Sequence, residues 1–406
     1  MEYSGRRPGF LAAFSFESFR LLWAGAFLSS VGTWIQDVAL SWIIHSRMGD
    51  PFYLGLRSFA QELPLLSFML IGGAAADRID RRLILLSSQF FQMAMAMLLG
   101  ALFLAGHLGI VAIVLIAFAT GVMQSQSAPT YQAVITSLVP REHIPNAVAL
   151  NSLQFNLSRA IGPVVAGLLL AHAGAGWCFA ANAISFVGVI LALRTIELPP
   201  PPVDPRESLR DSLRAGLRHV FDTPRLRSAT LLAFAASFLA FPLITYLPVL
   251  AGDVLKTGAS GYSLLLTSVG LGAIAGAIGA ARRGRAEGRG RLMLLAFAGF
   301  GLVTVSAALS RWQWLSMAML VGSGFALTTA FSTLNSLVQE MAPEALRGRV
   351  LSIFGLAFRG GGPFGSLLAG RLVRGAGAPV VVATYAAALL CVASFLLLRS
   401  RELRRL

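Results

Sequence analysis

Roughly twelve stretches of this chain run long enough with little or no charge to cross about 30 Å of hydrocarbon, and few folds satisfy that constraint. They fall at 20–44, 53–76, 83–106, 109–130, 147–172, 176–194, 228–252, 261–281, 292–310, 312–334, 350–373 and 377–398. Backbone polar groups inside a bilayer must pair within their own segment, so each stretch is expected to be a helix. Composition agrees: of 406 residues 56% are hydrophobic and 13% charged, with a mean hydropathy of +0.72. An even number of spans puts both termini on one side. Most of the 33 Lys plus Arg fall at that side in this layout, which the positive-inside rule makes cytoplasmic.

The net charge of +15 does not point to nucleic acid, because the arginines are scattered through short inter-helix loops and no basic domain gathers them. The five histidines lie far apart, without metal-ligand spacing, and no Walker A lysine motif occurs, so neither an enzyme, a cofactor nor ATP-driven pumping is expected. Cys178 and Cys391 fall within spans 6 and 12 and suggest no disulfide framework. The basic N-terminus leads into an apolar run too long for a signal-peptide core, which is expected to stay as the first helix.

The chain divides into two six-helix blocks, 1–197 and 228–406, joined by a polar connection over 198–227. In that connection Asp204-Pro205-Arg206-Glu207 reads as a helix start. Leu209, Leu213, Leu217 and Val220 follow at helical spacing beside Arg210, Arg214 and Arg218, the pattern of an interfacial helix resting on anionic lipid headgroups. The blocks repeat one another. Arg159-Ala-Ile-Gly162-Pro163 returns 200 residues later as Arg359-Gly-Gly-Gly362-Pro363, each in the fifth span of its block. Tandem halves of this kind suit a transporter that rocks about a central site.

Between spans 2 and 3 stands Gly73-Ala-Ala-Ala-Asp77-Arg78-Ile-Asp80-Arg81-Arg82. It resembles the loop 2-3 signature of the major facilitator superfamily, G-x-x-x-D-R-x-G-R-R/K, with Asp80 in place of the second glycine. The resemblance covers nearly the whole chain. It implies an all-α polytopic membrane protein of twelve transmembrane helices in two pseudo-symmetric bundles. It also implies a cytoplasmic latch at Gly73, Asp77, Arg78, Arg81 and Arg82, with Asp77 near the N-terminus of helix 11. The matching loop of the second half, Ala280-Ala-Arg282-Arg283-Gly-Arg285, lacks the aspartate. Gly162-Pro163-Val-Val-Ala166-Gly167 is similar to the superfamily's antiporter motif, and small residues there permit close helix approach. Gly162, Pro163, Gly167, Arg359 and Pro363 are accordingly expected at contacts between halves. Within the superfamily the chain looks most like the enterobactin-type siderophore exporters and macrolide efflux proteins. That likeness rests on Phe19-Arg20-Leu-Leu-Trp23, Gly32-Thr-Trp34-Ile-Gln36, Asn146-Ala-Val-Ala-Leu150-Asn151-Ser152 and Gly261-Tyr262-Ser-Leu-Leu.

An ionisable side chain at mid-bilayer costs about 2.5 to 3.5 kcal/mol on insertion scales, so each one calls for a partner, a wet cavity or a role. Four fall near the middle of the bilayer in this layout: Asp37, Glu62, Arg159 and Arg359. Asp37 lies on a polar stripe with Ser30, Thr33, Trp34 and Ser41 and is a proton-coupling candidate; the competing reading is a salt bridge with Arg57. Glu62 is the second candidate. Arg159, on a face with Asn156 and Pro163, either counters an anionic substrate or pairs with Asp37 or Glu62. Trp34, Gln36, Gln124, Asn151, Asn156 and Tyr246 are the further substrate-cavity candidates, and Pro242 with Pro248 suggests a broken helix around Tyr246. The drug exporters of the superfamily carry an arginine in helix 4 four residues before a glycine; aligned on Gly121 that position is Ala117, which departs from their proton relay.

Together these residues point to a secondary transporter of a bacterial inner membrane, a monomer by family default. It is expected to export an amphipathic drug-like compound or siderophore by alternating access with proton antiport. A lipid-like flippase without obligatory proton coupling, or a transport-inactive receptor, remains the alternative.

Overall fold

The computed structural model describes residues 11–78, 80–198, 209–283 and 288–404. Among them no strand occurs. The first half comprises α1 (Glu17–Met48), α2 (Phe52–Arg78), α3 (Arg81–Leu104), α4 (Ile110–Ser137), α5 (Ile144–His172) and α6 (Ala175–Thr195). A shorter α7 (Leu209–Asp222) leads into α8 (Pro224–Ala240), continued by α9 (Pro242–Val249). Then come α10 (Gly258–Arg283), α11 (Arg289–Leu309), α12 (Gln313–Met341), α13 (Arg347–Ala376) and α14 (Ala378–Arg399). With α8 and α9 counted as one crossing, ten helices among the described residues are long and apolar enough to span a membrane, and the long α2 and α13 complete two bundles of six.

The helices outrun the apolar stretches that nucleate them. At 1.5 Å per residue the 32 residues of α1 extend about 48 Å, so its ends project beyond the hydrocarbon. The expected break in the seventh crossing is present. α8 stops at Ala240, α9 restarts at Pro242, and a wide turn follows over Leu250–Val254. Proline lacks the N–H that would continue the ladder, which explains why the chain bends there.

Lipid tails are as apolar as leucine, so helices in a membrane associate through close van der Waals approach. α10 and α12 show this most clearly: a Cβ at Gly272 would overlap the Val321 carbonyl, and one at Gly324 would overlap the Val269 carbonyl. Each helix therefore sinks a glycine against the other's backbone. The two halves meet where α5 runs along α10 and α2 along α13.

At the α5 seam Gly167 faces Ser263 of α10, across the halves. Gly162 does not reach that seam: its space is filled by Trp34 of α1, inside its own half, which corrects the expected inter-half contact. Five residues on a helix turn the direction by about 140°, so one short motif serves two neighbours. Pro163 and Pro363 are buried within α5 and α13.

α7 lies against α13, where a Cβ at Gly216 would stand 2.8 Å from Ile353 Cδ1. Its Val220 is buried, whereas Leu217 is exposed, so only part of the expected apolar stripe is covered. The Asp204 to Glu207 helix start and the side chains of Leu209, Arg210 and Leu213 lie outside the described residues.

Candidate transport site

The latch motif is only partly described. α2 carries the backbone of Gly73, Asp77 and Arg78, but their side chains lie outside the described residues. Arg81 is buried, and Arg82 donates through Nη2 to the Ile196 carbonyl at the end of α6. Asp80 has φ −53°, so no left-handed turn is needed at the position where the family has glycine. Its carboxylate instead accepts the Arg82 N–H at 2.7 Å and caps α3.

Among the described residues, the charged groups near the middle of the spans fall into pairs, with one exception. Asp37 on α1 is bonded by Arg57 Nη2 of α2, and the same guanidinium reaches Gln61 Oε1 at 3.3 Å and Ser41 Oγ at 3.4 Å. α2 can present Arg57 and Gln61 to one neighbour because they are four residues apart on one face. One turn further, Glu62 meets Arg359 of α13 at 3.8 Å, so this pair bridges the two halves. The exception is Arg159. It is half-buried in α5, donates only to Asn156 Oδ1 of its own helix at 3.4 Å, and leaves its buried Nε without a partner. Among the described residues no carboxylate pairs with it, which sets aside the pairing with Asp37 or Glu62 in this conformation.

Asn156 lines a cavity of about 390 Å³ between α5, α10, α11 and α12, on the side of the termini. Ala149 and Ser152 line it from α5, and Ala277 and Ser336 from the other half. Asn151, half-buried, lies on the same helix. Trp34 stands beside this seam, edge-on to Phe155 with ring centroids 6.4 Å apart.

The other cavity candidates lie elsewhere. Gln36 Oε1 accepts from Asn182 Nδ2 of α6 at 2.9 Å, and Gln124 Nε2 contacts Gln92 Oε1 of α3 at 3.5 Å, so both turn into the N-terminal bundle. Tyr246 is fully buried and donates its O–H to the Ser366 carbonyl at 2.7 Å.

Tyr246 belongs to a closure at the end away from the termini that sequence reasoning missed. Arg374 of α13 grips Asp50, in the α1–α2 turn, through both carboxylate oxygens, with Nε at 2.7 Å from Oδ1, and lies 4.9 Å over the Phe52 ring. His45 Nε2 stands 3.6 Å from Asp253 Oδ1. Trp42 stacks on Tyr262 and Phe59 packs on Phe364, each pair joining the halves. No linear signal marks these partners; Asp50 and Arg374 are 324 positions apart.

The Arg374 hydrogen bonds hold the Asp50 carboxyl below the usual carboxylate range, assisted by the Phe52 N–H. A carboxyl whose pKa is depressed in the closed state supports that state fully above its ordinary pKa, and the support is lost as pH falls through the lowered value. The expected result is that this end stays shut at neutral pH and opens on acidification below the ordinary carboxylate range. Spin labels at the exposed His107 and Arg311 would read that opening, and in Asp50→Asn the distance should no longer respond to acid in that window.

A family profile described as "Transmembrane secretion effector" matches residues 9–405. The enterobactin exporter EntS of Shigella boydii serotype 18 is 27% identical over 398 residues, covering 96% of this chain and 93% of that protein. EntS of Escherichia coli O1:K1 / APEC is 27% identical over 399 residues with the same coverage. Among solved structures, a D-xylose-proton symporter superposes with a TM-score of 0.76 at 15% identity, covering 96% of this chain and 98% of its own. A bacterial homologue of the human lysosomal transporter Spinster, in an inward-facing and unoccupied conformation, gives 0.70 at 16%, covering 95% and 96%. At such identities the structures speak for the fold alone, while the profile spans nearly the entire sequence. This chain belongs to the transmembrane secretion effector family of the major facilitator superfamily.

Proposed function

We propose that this transporter exports an amphipathic, anionic small molecule of siderophore type from a bacterial cytoplasm across the inner membrane, by alternating access with proton antiport. The observation that carries the reading is the membrane-embedded charge set: two carboxylates, Asp37 and Glu62, each held by an arginine, beside a third arginine that holds none. A carboxylate that exchanges its arginine for a proton is the simplest coupling device, because both states keep the low-dielectric interior free of a lone charge. Asp37 is the first proton group and Glu62 the second. The Glu62–Arg359 bridge is positioned to respond when the halves rock, since one partner moves with each half.

Arg159 serves the substrate. A cation without a counter-charge is unfavourable within a membrane span, and an anionic ligand would satisfy it. The EntS relatives are named for enterobactin, a catecholate whose ionised phenolic oxygens suit a guanidinium. Trp34, Asn151 and Asn156 supply aromatic and amide contacts nearby. The basic faces of the loops orient both termini to the cytoplasm, where Arg214 and Arg218 of α7 rest on anionic lipids and the Gly73 to Arg82 motif latches the halves.

The test is transport into proteoliposomes loaded with a pH dye. Enterobactin is expected to evoke proton movement in the parent protein, and Asp37→Asn is expected to lose that signal by on the order of 10²-fold, the scale of a positioned proton-transfer group. Full proton-driven transport by Asp37→Asn would remove Asp37 from the mechanism. Transport that persists after the proton gradient is dissipated would favour the flippase-like alternative.

A further inference from the structure

Two cavities inside the N-terminal bundle are distinct from the cleft between the halves. The one nearer the termini is about 190 Å³ and is lined by Ser30, Gln89, Ser127, Tyr131 and Gln154. The other, about 30 Å³, is lined by Thr33, Gln36, Asp37, Arg57 and Gln61. Gln92 and Gln124 line both, so their paired carboxamides form the neck between them. A water needs roughly 10–15 Å³ and two to four polar partners, and both spaces meet that requirement.

The polar lining is more than local helix decoration. Tyr131 donates to Gln154 Oε1 at 3.3 Å, and Gln154 Nε2 donates to Ser30 Oγ at 3.1 Å, linking α4, α5 and α1. Gln89 Oε1 is buried with no protein partner, and so is Arg57 Nε, leaving one unmet polar atom beside each chamber. In a membrane-embedded bundle such atoms are unfavourable unless water reaches them. The C-terminal bundle has a cavity of about 10 Å³ lined chiefly by leucines, such as Leu243, Leu247 and Leu320.

We propose that these chambers form one hydrated passage through the N-terminal bundle, carrying water and protons between the face bearing the termini and the Asp37–Arg57 pair, apart from the substrate cleft. The passage rests on Asp37 being the proton-coupling group proposed above. The charged and titratable groups about its inner end are Arg57 and Glu62 on α2, Tyr262 on α10 and Arg359 on α13. A proton arriving through the neck displaces Arg57 from Asp37 and frees that guanidinium towards Gln61, one residue from the Glu62–Arg359 bridge. Proton and substrate thus occupy separate routes.

The first test reads accessibility. In protein freed of native thiols (Cys178→Ala, Cys391→Ala), Ser127→Cys is expected to react with a small methanethiosulfonate reagent applied from the face of the termini. An unreactive Ser127→Cys in folded, transport-competent protein would mean a dry bundle and would overturn the passage whatever the role of Asp37. The second test is Gln92→Leu, which puts an apolar side chain in the neck. It is expected to slow proton movement evoked by a triscatecholate about tenfold or more while leaving the Kd for that probe unchanged. Unaltered proton movement in Gln92→Leu would overturn the route. A proton signal retained by Asp37→Asn with Ser127→Cys reactive would instead count against the coupling role and leave hydration standing.

Discussion

Replacing Arg159 with glutamine is expected to lower transport of catecholate and carboxylate compounds by on the order of 10²-fold, the effect of withdrawing a charged hydrogen-bonding partner, worth roughly 2 to 5 kcal/mol, from a bound anion. Arg159 gives one weak hydrogen bond to its own helix and none to a carboxylate, so its removal strands no partner and should leave the folded bundle intact. That separates it from Arg57, whose loss would leave Asp37 uncompensated. Arg159→Lys keeps the charge without the planar fork and should retain an intermediate affinity for bidentate ligands. Uptake of radiolabelled substrate into inverted vesicles, with a neutral amphipathic dye beside it, is the measurement. Selective loss for anions supports the role; equal loss for both classes would make Arg159 a structural or coupling residue.

The second large effect concerns assembly. Gly272→Val and Gly324→Val should each prevent α10 and α12 from closing, because a Cβ at either site overlaps a main-chain carbonyl that no rotamer change can move. Overpacking of this kind typically costs 1 to 3 kcal/mol, roughly, and backbone obstruction lies at the upper end. The expected readout is loss of the monodisperse peak in fluorescence-detected size-exclusion chromatography and a lower melting temperature. Gly299→Val is the control: that glycine has no neighbour within 4 Å of its Cβ direction and should be tolerated. Equal behaviour of the three variants would contradict the interlock.

Much of this protein is legible along the chain because the bilayer reads sequence locally. Each span must be apolar and must satisfy its own backbone, so helix number and the two-half plan follow from short windows of residues. Local signals also exposed the proline break at Phe241–Pro242 and singled out Asp37, Glu62, Arg159 and Arg359, since charges near the middle of apolar runs stand out without any knowledge of their neighbours.

Partnership is another matter. Asp37 had Arg57 twenty residues away as a foreseeable mate, but Glu62 turned out to face Arg359 from the other half, and Arg159 faces no carboxylate at all. Gln36, Gln124 and Tyr246 are polar positions in spans, yet the rotation of their helices decides what they meet: the first two turn into the N-terminal bundle, and Tyr246 into the closure at the end away from the termini. The sequence by itself therefore determined the membrane environment, the helices and the list of charges that require an explanation, all consequences of short-range physics in a low-dielectric slab. Only the tertiary structure decided which charges neutralise one another, that Gly162 serves its own half and Gly167 the other, and that Asp50 and Arg374 close one end. Those outcomes depend on the register and rotation of packed helices, set by side chains hundreds of positions apart.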